Sequence, residues 1–336
     1  MIVVRAPLRI SFVGGGTDMA DFYTRTPGRT IAATIDKFVY VVINRTPLID
    51  KVSARYSIVE TADHPSELKH TRIKAALLDM GIHKNIEIAT FGTLPAKTGF
   101  GSSASFSVDL MKGLHAFQEK KLGQCEAAEA ASRLDNELVG EKRGKQDYYA
   151  ASFGGFNVME FKLDHSVNID PVLLDYKNLA ALENHLLVFF VGIHHKDSAG
   201  SESVLGEDKK FEMLKTLADA VYEFRDRLLA NDFRGLGAML HDLRLKEKQL
   251  NHEEGVIDEL YSTGMGSGAW GGKFLNQGGG CILFLASPER HEAIRSAMRE
   301  IAAKNNLQEF REIPVRFVQS GAEVLFNGDY HHSNAF

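Results

Sequence analysis

The stretch LPAKTGFGSSAS, residues 94–105, is a glycine- and serine-rich segment between two different patterns. Upstream, residues 85–91 alternate apolar and polar side chains, and this alternation predicts a strand. Downstream, Phe106, Leu110 and Leu114 share one face of a predicted amphipathic helix. A strand, a glycine-rich turn and a helix N-terminus in this order predict an anion site. The reason is that the first N–H groups of a helix lack intrahelical partners, and the helix dipole favours negative charge there.

The residue types of this turn suit a phosphate. Gly99 and Gly101 carry no Cβ, so a phosphate can approach the backbone closely. Ser102 and Ser103 offer hydroxyls to a phosphate or to a metal bound to it, and Lys97 adds a positive charge. The alternative is a serine-capped helix after a flexible turn, but two glycines, two serines and a lysine together favour the anion site.

Length and composition limit the kinds of protein that this chain can be. The 336 residues suffice for about two domains, and 44% apolar with 25% charged residues is typical of a globular protein. A net charge of −5 without any basic block argues against nucleic acid as a partner. No apolar run has the length of a membrane span, and residues 1–12 lack a signal-peptide pattern, so we expect no membrane partner. The two cysteines lie in different contexts, which argues against a disulfide framework and for the reducing cytoplasm.

Strand and helix patterns mix along the chain without strict alternation, which predicts an α+β fold rather than a Rossmann sheet. In the first part the pattern predicts strands at 1–5, 9–13, 30–44, 52–60 and 156–161, and helices at 66–80, 126–139 and 146–152. In the second part it predicts strands at 186–191, 281–285, 315–319 and 322–326, and helices at 211–230, 233–251 and 289–303. We place the domain boundary between residues 164 and 184, giving domains 1–175 and 176–336.

Glycine-rich segments occur at three places, residues 12–18, 99–103 and 267–280. One such segment is weak evidence, because a tight turn between core elements explains it equally well. Three segments favour a cleft in which several backbone turns approach one charged ligand. For the third segment alone, the tight turn and the ligand loop are equally good interpretations.

The combination of these segments resembles the GHMP kinase superfamily over nearly the full length. The central motif of that family, Pro-x-x-x-Gly-Leu-Gly-Ser-Ser-Ala, reads PAKTGFGSSA at residues 95–104, with Phe100 in place of leucine. The Walker spacing GxxxxGK[ST] is absent. The resemblance implies an N-terminal domain of mixed sheet and helices, a C-terminal ferredoxin-like domain, and an active site in the cleft between them. The third motif departs from the family, because Asn276 and Gln277 stand where small residues are usual.

The resemblance also implies ATP and Mg²⁺ as cofactors. In the family the central motif wraps the ATP phosphates, which assigns ATP binding to Pro95, Lys97, Thr98, Gly99, Phe100, Gly101, Ser102, Ser103 and Ala104. The second serine of the motif, Ser103, ligates Mg²⁺ in the family, and a helix glutamate upstream of the base supplies another ligand. Glu137 stands in that place, although a surface carboxylate explains it too, and Glu126, Glu129 and Glu141 lie nearby.

The family's catalytic aspartate follows a glycine-containing turn and precedes a Gly-Gly pair. Asp147 in GKQDYY matches that place, and Arg9 matches an arginine that lies near this aspartate in the galactokinase branch. The alternatives are an ordinary aspartate in a first helical turn and an edge-strand arginine. Lys145 either holds a phosphate or acts on Asp147 through its charge.

The first glycine-rich segment bears on the substrate. It reads GGGTD at residues 14–18, where galactokinases have Gly-Glu-His-Thr-Asp-Tyr, and a carboxylate such as Asp18 suits sugar hydroxyls. Together with GKQDYYAASFGG it is similar to the D-glycero-D-manno-heptose 7-phosphate kinases, which form the 1,7-bisphosphate on the way to nucleotide-activated heptose and surface polysaccharide. The substrate-binding residues implied are Gly15, Gly16, Thr17, Asp18, Lys145 and Gln146.

Several questions stay open on the sequence alone. A second anion site must hold a distal phosphate, and the basic residues available for it are Arg25, Arg29, Arg143 and Lys145. The alternatives to a heptose phosphate kinase are another sugar 1-kinase of the superfamily, fucokinase- or galactokinase-like, and a ligand-binding homologue without turnover. The expected partners are a small sugar phosphate and ATP, and a homo-oligomer stays open.

Overall fold

A computed structural model of the chain describes residues 1–95, 98–194, 206–251, 255–276 and 279–328. It has two mixed layers of sheet and helix, so the predicted α+β architecture is confirmed. Lys97 of the expected ATP loop and Gln277 of the third glycine motif lie outside the described residues.

The larger sheet has eight strands among the described residues and carries most of the first part of the chain. Its order is β12-β1-β2-β5-β3-β4, with β6 paired to β2 and β7 paired to β6. The strands are β1 (Ile2–Val13), β2 (Gly28–Arg45), β3 (Val52–Arg55), β4 (Val59–Ala62), β5 (Ile86–Gly92), β6 (Phe156–Phe161), β7 (Val167–Pro171) and β12 (Glu323–Asn327). All pairs are antiparallel except β3 with β5.

Helices of the first part bury apolar side chains, and α3 and α5 among them pack directly on this sheet. They are α1 (Ala20–Tyr23), α2 (Thr71–Asp79), α3 (Ser102–Phe117), α4 (Gln124–Arg133), α5 (Gln146–Phe153) and α6 (Tyr176–Asn184). Helix α3 is the central one, since it packs on β1, β2, α4 and α5. Its side chains Val108, Leu110 and Leu114 are fully buried, and that packing fixes where the helix begins and therefore where the glycine-rich turn lies.

The smaller sheet has the order β11-β8-β10-β9, and its described pairs are antiparallel. Numbered by sequence, this is the 4-1-3-2 order of a ferredoxin-like domain. The strands are β8 (Leu186–His194), β9 (Gly271–Asn276), β10 (Gly279–Leu285) and β11 (Arg311–Glu312). The helices are α7 (Glu207–Leu229), α8 (Phe233–Asn251), α9 (Val256–Gly266) and α10 (His291–Lys304).

The predicted strand at 52–60 is the antiparallel hairpin of β3 and β4, and of the predicted helix at 66–80 only Thr71–Asp79 is α-helical. Four more local expectations differ from the structure. The predicted strands at 1–5 and 9–13 are one continuous strand, because Pro7 at a register shift lets β1 run on. The third glycine-rich segment is not one loop: it follows α9 directly and contains the strand β9 and the start of β10. Within the described chain, residues 315–319 form a single bridge from Phe317 to Ile35 instead of a strand.

The fourth difference concerns the predicted helix at 126–139. Helix α4 ends at Arg133, and residues Leu134–Val139 continue as a π-helix. The predicted domains 1–175 and 176–336 stay a prediction, with one qualification from the pairing. Strand β12, at the end of the chain, lies beside β1 in the larger sheet.

Candidate active site

The glycine-rich turn leads into α3 through a left-handed residue. Gly101 precedes the helix with φ +75°, a conformation that glycine adopts without strain. Phe100 is fully buried and anchors the turn, and the first helical bond runs from the N–H of Ser105 to the carbonyl of Gly101, 3.1 Å. The N–H groups of residues 102–104 precede that bond and have no intrahelical partner, so they form the anion-binding end of the helix.

Arg9 on β1 joins this turn to α5. Its Nε and Nη2 donate to the two carboxylate oxygens of Asp147, each at 2.8 Å, and its Nη1 donates to the carbonyl of Gly99 at 2.5 Å. The N–H of Arg9 also donates to the carbonyl of Phe100, 3.0 Å. The Arg9 side chain is 9% exposed and that of Asp147 is 24% exposed, so the carboxylate faces the cleft while its partner is buried.

Gly101 lies against both members of this pair. A Cβ at residue 101 would be 3.3 Å from Cζ of Arg9 and 3.3 Å from Oδ2 of Asp147. The first turns of α3 and α5 therefore converge, and the Asp147 carboxylate lies next to the end of α3 where an anion would bind. The structure thus brings together Arg9, Asp147 and the glycine-rich turn, all of which the sequence had selected.

Asp18 connects the first glycine-rich segment to α5. Its carboxylate accepts from the N–H of Gly16 and from the N–H of Gln146, both at 3.0 Å. Gly144 passes so close that a Cβ there would lie 1.9 Å from Oδ2 of Asp18. Burial raises the pKa of Asp18 to about 6, and the charge of Asp147 adds to the shift.

The other predicted substrate residues divide into two groups. Thr17 is fully buried, and its hydroxyl donates to the carbonyls of Gly14 and Arg29 at 2.8 Å, so its side chain holds the loop. Gln146 accepts a hydrogen bond from the hydroxyl of Ser11, 2.9 Å, and its amide nitrogen faces Gly15. A Cβ at Gly15 would be in ordinary van der Waals contact with Gln146 (3.9 Å) and Ser11 (4.0 Å), so packing does not require a glycine there.

The ammonium of Lys145 pairs with a carboxylate of α4. It contacts Glu129 at 2.8 and 3.1 Å and the carbonyl of His165 at 3.0 Å. The Tyr149 hydroxyl also donates to Glu129. The ammonium of Lys145 is thus paired with Glu129, and its expected contact with a phosphate or with Asp147 stays a prediction.

Glu137 is likewise directed away from the turn. Its side chain is 70% exposed, and its nearest cation is Arg133 at 3.7 Å. It lines a surface depression together with Met111 and His115 of α3. Met111 lies eight residues after Ser103, roughly 12 Å along a helix, so the structure does not bring Glu137 to Ser103.

Asp135 is a carboxylate that contacts α3, at Ser107. The sequence analysis did not select it. It is fully buried, accepts from the hydroxyls of Ser107 (2.8 Å) and Tyr148 (2.9 Å), and pairs with Arg72 at 2.8 Å. Burial, and then the charge of Asp135, raise the pKa of Tyr148, which keeps the phenol a donor. Ser107 lies one helical turn after Ser103, so Asp135 contacts α3 nearer to Ser103 than the surface depression lined by Glu137 does.

Two contacts connect the smaller sheet and its helices to the substrate side. Lys273 on β9 donates to the carbonyl of Phe12 at 3.0 Å, at the end of β1 where the first glycine-rich segment begins. Leu214 on α7 lies against Gly16, with 3.1 Å between its Cδ2 and a Cβ built at that glycine. Neither contact has a signal in the sequence, because both depend on how the two sheets face each other.

Comparisons with known proteins agree with this geometry. The family description "GHMP kinases N terminal domain" matches residues 69–155, which contain the glycine-rich turn and Asp147. The named kinases among the similar proteins identify the chain as a phosphotransferase of the sugar kinase class. Over most of its length the chain is similar to members of the GHMP kinase superfamily.

Individual relatives cover almost the whole chain. A D-glycero-alpha-D-manno-heptose 7-phosphate kinase of Campylobacter jejuni is 25% identical over 322 residues, 89% of this chain and 93% of the relative. A galactokinase of Pyrococcus furiosus is 24% identical over 90% of this chain and 94% of its own length. The crystal structure of a D-glycero-D-manno-heptose 1-phosphate kinase from Bacteriodes thetaiotaomicron superposes with a TM-score of 0.79 at 24% identity, covering 97% of this chain and 99% of that one.

Two further findings concern helix length and the clustering of metal-binding side chains. Among the described residues no helix is long and apolar enough to cross a membrane. In the same part of the chain no three histidine, cysteine or acidic side chains cluster as a ready-made metal site. A divalent cation would therefore need ligands from hydroxyls, a single carboxylate, water or a bound phosphate, which is the usual manner of Mg²⁺.

Proposed function

We propose that this phosphotransferase is an ATP-dependent sugar 1-kinase that acts on D-glycero-D-manno-heptose 7-phosphate. The product is the 1,7-bisphosphate, a precursor of nucleotide-activated heptose for surface polysaccharide. The observation that carries the proposal is the two-point contact of Arg9 with Asp147 directly beside Gly101. It puts a carboxylate that can accept a proton next to a helix end that can bind phosphate.

Each residue of the site has its own role in the proposed reaction. The N–H groups at the start of α3 and the Gly99–Gly101 turn bind the ATP phosphates, and Asp18 accepts from sugar hydroxyls through its remaining lone pairs. Asp147 orients the anomeric hydroxyl and accepts its proton as the bond from O1 to the γ-phosphorus forms. The bond from the γ-phosphorus to the β-bridging oxygen breaks, and ADP leaves with that electron pair. Arg9 holds the carboxylate in place and offsets the negative charge on the transferred group.

The residues present fit a magnesium ion. Ser103 has a half-buried hydroxyl in the first turn of α3, and Asp135 uses three of its roughly four lone-pair positions on Ser107, Tyr148 and Arg72. We therefore assign the ligand role to Ser103 and Asp135, in place of Glu137. Mg²⁺ bound there would neutralise phosphate charge.

The assignment of a heptose phosphate rests on the first glycine-rich segment and on the relatives. Gly15 and Gly16 stand where galactokinases have glutamate and histidine, so the substrate side here lacks those two polar side chains. This difference favours a sugar other than galactose. The two heptose kinases among the relatives are named for a 7-phosphate and a 1-phosphate substrate or product, so the position of the new phosphate needs direct measurement.

A substrate panel tests the proposal. Purified protein with ATP and Mg²⁺ is given D-glycero-D-manno-heptose 7-phosphate, the free heptose, mannose 6-phosphate, mannose, galactose and fucose, and ADP release is followed. We expect the highest kcat/KM with the heptose 7-phosphate, and a new anomeric phosphate in the ³¹P NMR spectrum of the product. An equal or higher kcat/KM with galactose or fucose would contradict the substrate, and a new phosphate at another carbon would contradict the site of transfer.

A further inference from the structure

The wall of the cleft beyond Gly16 is built from α7. Leu214 lies against Gly16, and Phe211 lies one turn earlier on the same helix. The guanidinium carbon of Arg25 is 3.9 Å from the centre of the Phe211 ring, and Phe22 packs on the other part of that ring at 5.1 Å. A continuous line of contacts therefore leads from the substrate loop to the Arg25 guanidinium.

Arg25 differs from the other basic residues around the substrate side. The others are held by acidic partners, namely Arg29 by Glu160 (3.0 Å), Arg143 by Glu141 (2.8 Å) and Lys145 by Glu129 (2.8 Å). Arg25 is exposed, and within the part of the chain that the structure describes it makes no ion pair. Its stacking on Phe211 holds the planar group in one orientation and leaves its N–H donors for a ligand.

A second positive charge lies beside it on α7. Lys210 precedes Leu214 by four residues, so it lies on the helix face that meets Gly16. It is exposed and, as far as the described residues show, forms no ion pair, although Glu207 lies one turn before it. Arg25 and Lys210 thus flank Phe211 and Leu214 on the open side of the glycine loop.

We propose that Arg25 and Lys210 form the subsite for the distal phosphate of the sugar substrate. The inference rests on the proposed function, because it assigns residues to the end of the sugar opposite the anomeric hydroxyl. The first glycine-rich segment connects the two ends, since Gly16 adjoins Leu214 of α7 and Gly15 adjoins Gln146 of α5. Arg25 recognises the phosphate oxygens through two N–H groups, and Lys210 adds a point charge.

Variants at the two positions test the subsite. Arg25→Ala is expected to raise the KM for the heptose 7-phosphate roughly 10- to 100-fold, since a hydrogen bond to a charged group contributes that much. The KM for ATP and the turnover with the unphosphorylated heptose should not change. Arg25→Lys, which keeps the charge and loses the fork, should lie between the wild type and Arg25→Ala, and Lys210→Ala should have a smaller effect.

Two variants that remove other exposed positive charges serve as controls. Lys209→Ala removes a neighbouring exposed charge on another face of α7, and Arg299→Ala removes one from α10. Neither should alter any KM. The subsite is refuted if Arg25→Ala leaves the KM for the heptose 7-phosphate unchanged, or raises the KM for the phosphorylated and the free sugar equally.

The subsite and the proposed function can fail separately. If the wild type transfers phosphate to no sugar, the proposed function is wrong, and calorimetry with heptose 7-phosphate still measures the subsite. Binding by the wild type that is lost in Arg25→Ala supports the subsite. Equal binding by both proteins, or no binding by the wild type, overturns it.

Discussion

The guanidinium of Arg9 and the carboxylate of Asp147 meet in a two-point contact although 138 positions separate them in the chain. The same guanidinium donates to the carbonyl of Gly99. One side chain therefore sets the position of the residue proposed as the base and of the turn proposed to bind ATP. The two halves of the site are coupled through Arg9, and substitutions at the two ends of the pair should have different consequences.

Asp147→Asn should lower turnover by roughly 10²- to 10⁴-fold, the usual contribution of a general base. The amide keeps one oxygen for Arg9 but cannot take the proton of the anomeric hydroxyl. ATP affinity, measured by calorimetry, should be nearly unchanged because the start of α3 is intact. Turnover close to that of the wild type would remove Asp147 from the mechanism.

Arg9→Lys should affect ATP as well as turnover. A lysine retains the charge but cannot reach both Asp147 oxygens and the Gly99 carbonyl at the same time. We expect a higher KM for ATP together with a lower kcat, measured by steady-state kinetics. The double variant Arg9→Lys/Asp147→Asn should lose less turnover than the product of the two single losses, since the residues act as a unit. Fully additive losses would show that they act independently.

Asp135 and Glu137 give a matched pair for the metal role. Asp135→Asn should raise the Mg²⁺ concentration needed for half-maximal activity, because a neutral amide is a weaker ligand for Mg²⁺ than a carboxylate. Glu137→Gln should leave the Mg²⁺ dependence unchanged, since that side chain is exposed on the outer surface. Thermal unfolding of both variants separates this effect from a loss of the buried contacts of Asp135. The reverse order of Mg²⁺ effects would restore Glu137 as the ligand.

The proposed exchange of Glu137 for Asp135 rests on a change of helix type that the sequence pattern does not predict. Treated as one α-helix, residues 126–139 put Leu134 and Leu138 on a shared buried face, with Glu137 beside it. In the structure the π-helix from Leu134 to Val139 has bonds that span five residues, which rotates later side chains relative to an α-helix. As a result Leu138 is 37% exposed and Asp135 is fully buried. A period of 3.6 residues cannot reveal such an insertion.

Other parts of the site followed from local sequence because local chemistry determines them. The strand before the turn, the start of α3 at Ser102 and the short helix containing Asp147 agree with their patterns. The structural role of a glycine, in contrast, cannot be predicted from the residue type alone. Gly271 is needed for packing, since a Cβ there would lie 1.8 Å from the carbonyl of Gly237 on α8, whereas a Cβ at Gly15 would make only ordinary contacts at 3.9 Å and beyond. The sequence shows both simply as glycine.

Asp18 should make the stability of the protein depend on pH in the acid range. Its pKa rises from 3.8 to about 6 on folding, so the folded chain holds a proton that the unfolded chain has released between these values. Stability from this group is therefore present below pH 3.8 and is lost as pH rises to about 6, a change on the order of 3 kcal/mol. Asp18→Asn should remove this part of the pH slope in urea unfolding, and an identical slope in both proteins would contradict the assignment.

Asp109 on α3 should act in the same direction over a wider range. It is fully buried against β1, and burial raises its pKa well above 3.8, while the Ala6 amide and the charges of Lys112 and Arg5 oppose the shift only in part. The folded state keeps the carboxyl neutral, whereas the unfolded chain ionises above 3.8. The wild type therefore loses up to about 1.4 kcal/mol of stability per pH unit until the folded pKa is reached.

Asp109→Asn removes this loss, because an amide of the same size has no proton to release. The free energy of unfolding of Asp109→Asn relative to the wild type should rise with pH above about 4, as measured by urea unfolding across the acid-to-neutral range. Lys112→Met is an informative companion, since removing the nearby positive charge should raise the folded pKa of Asp109 further and extend the pH range of the loss. A difference between Asp109→Asn and the wild type that does not change with pH would show that Asp109 is ionised in the folded protein.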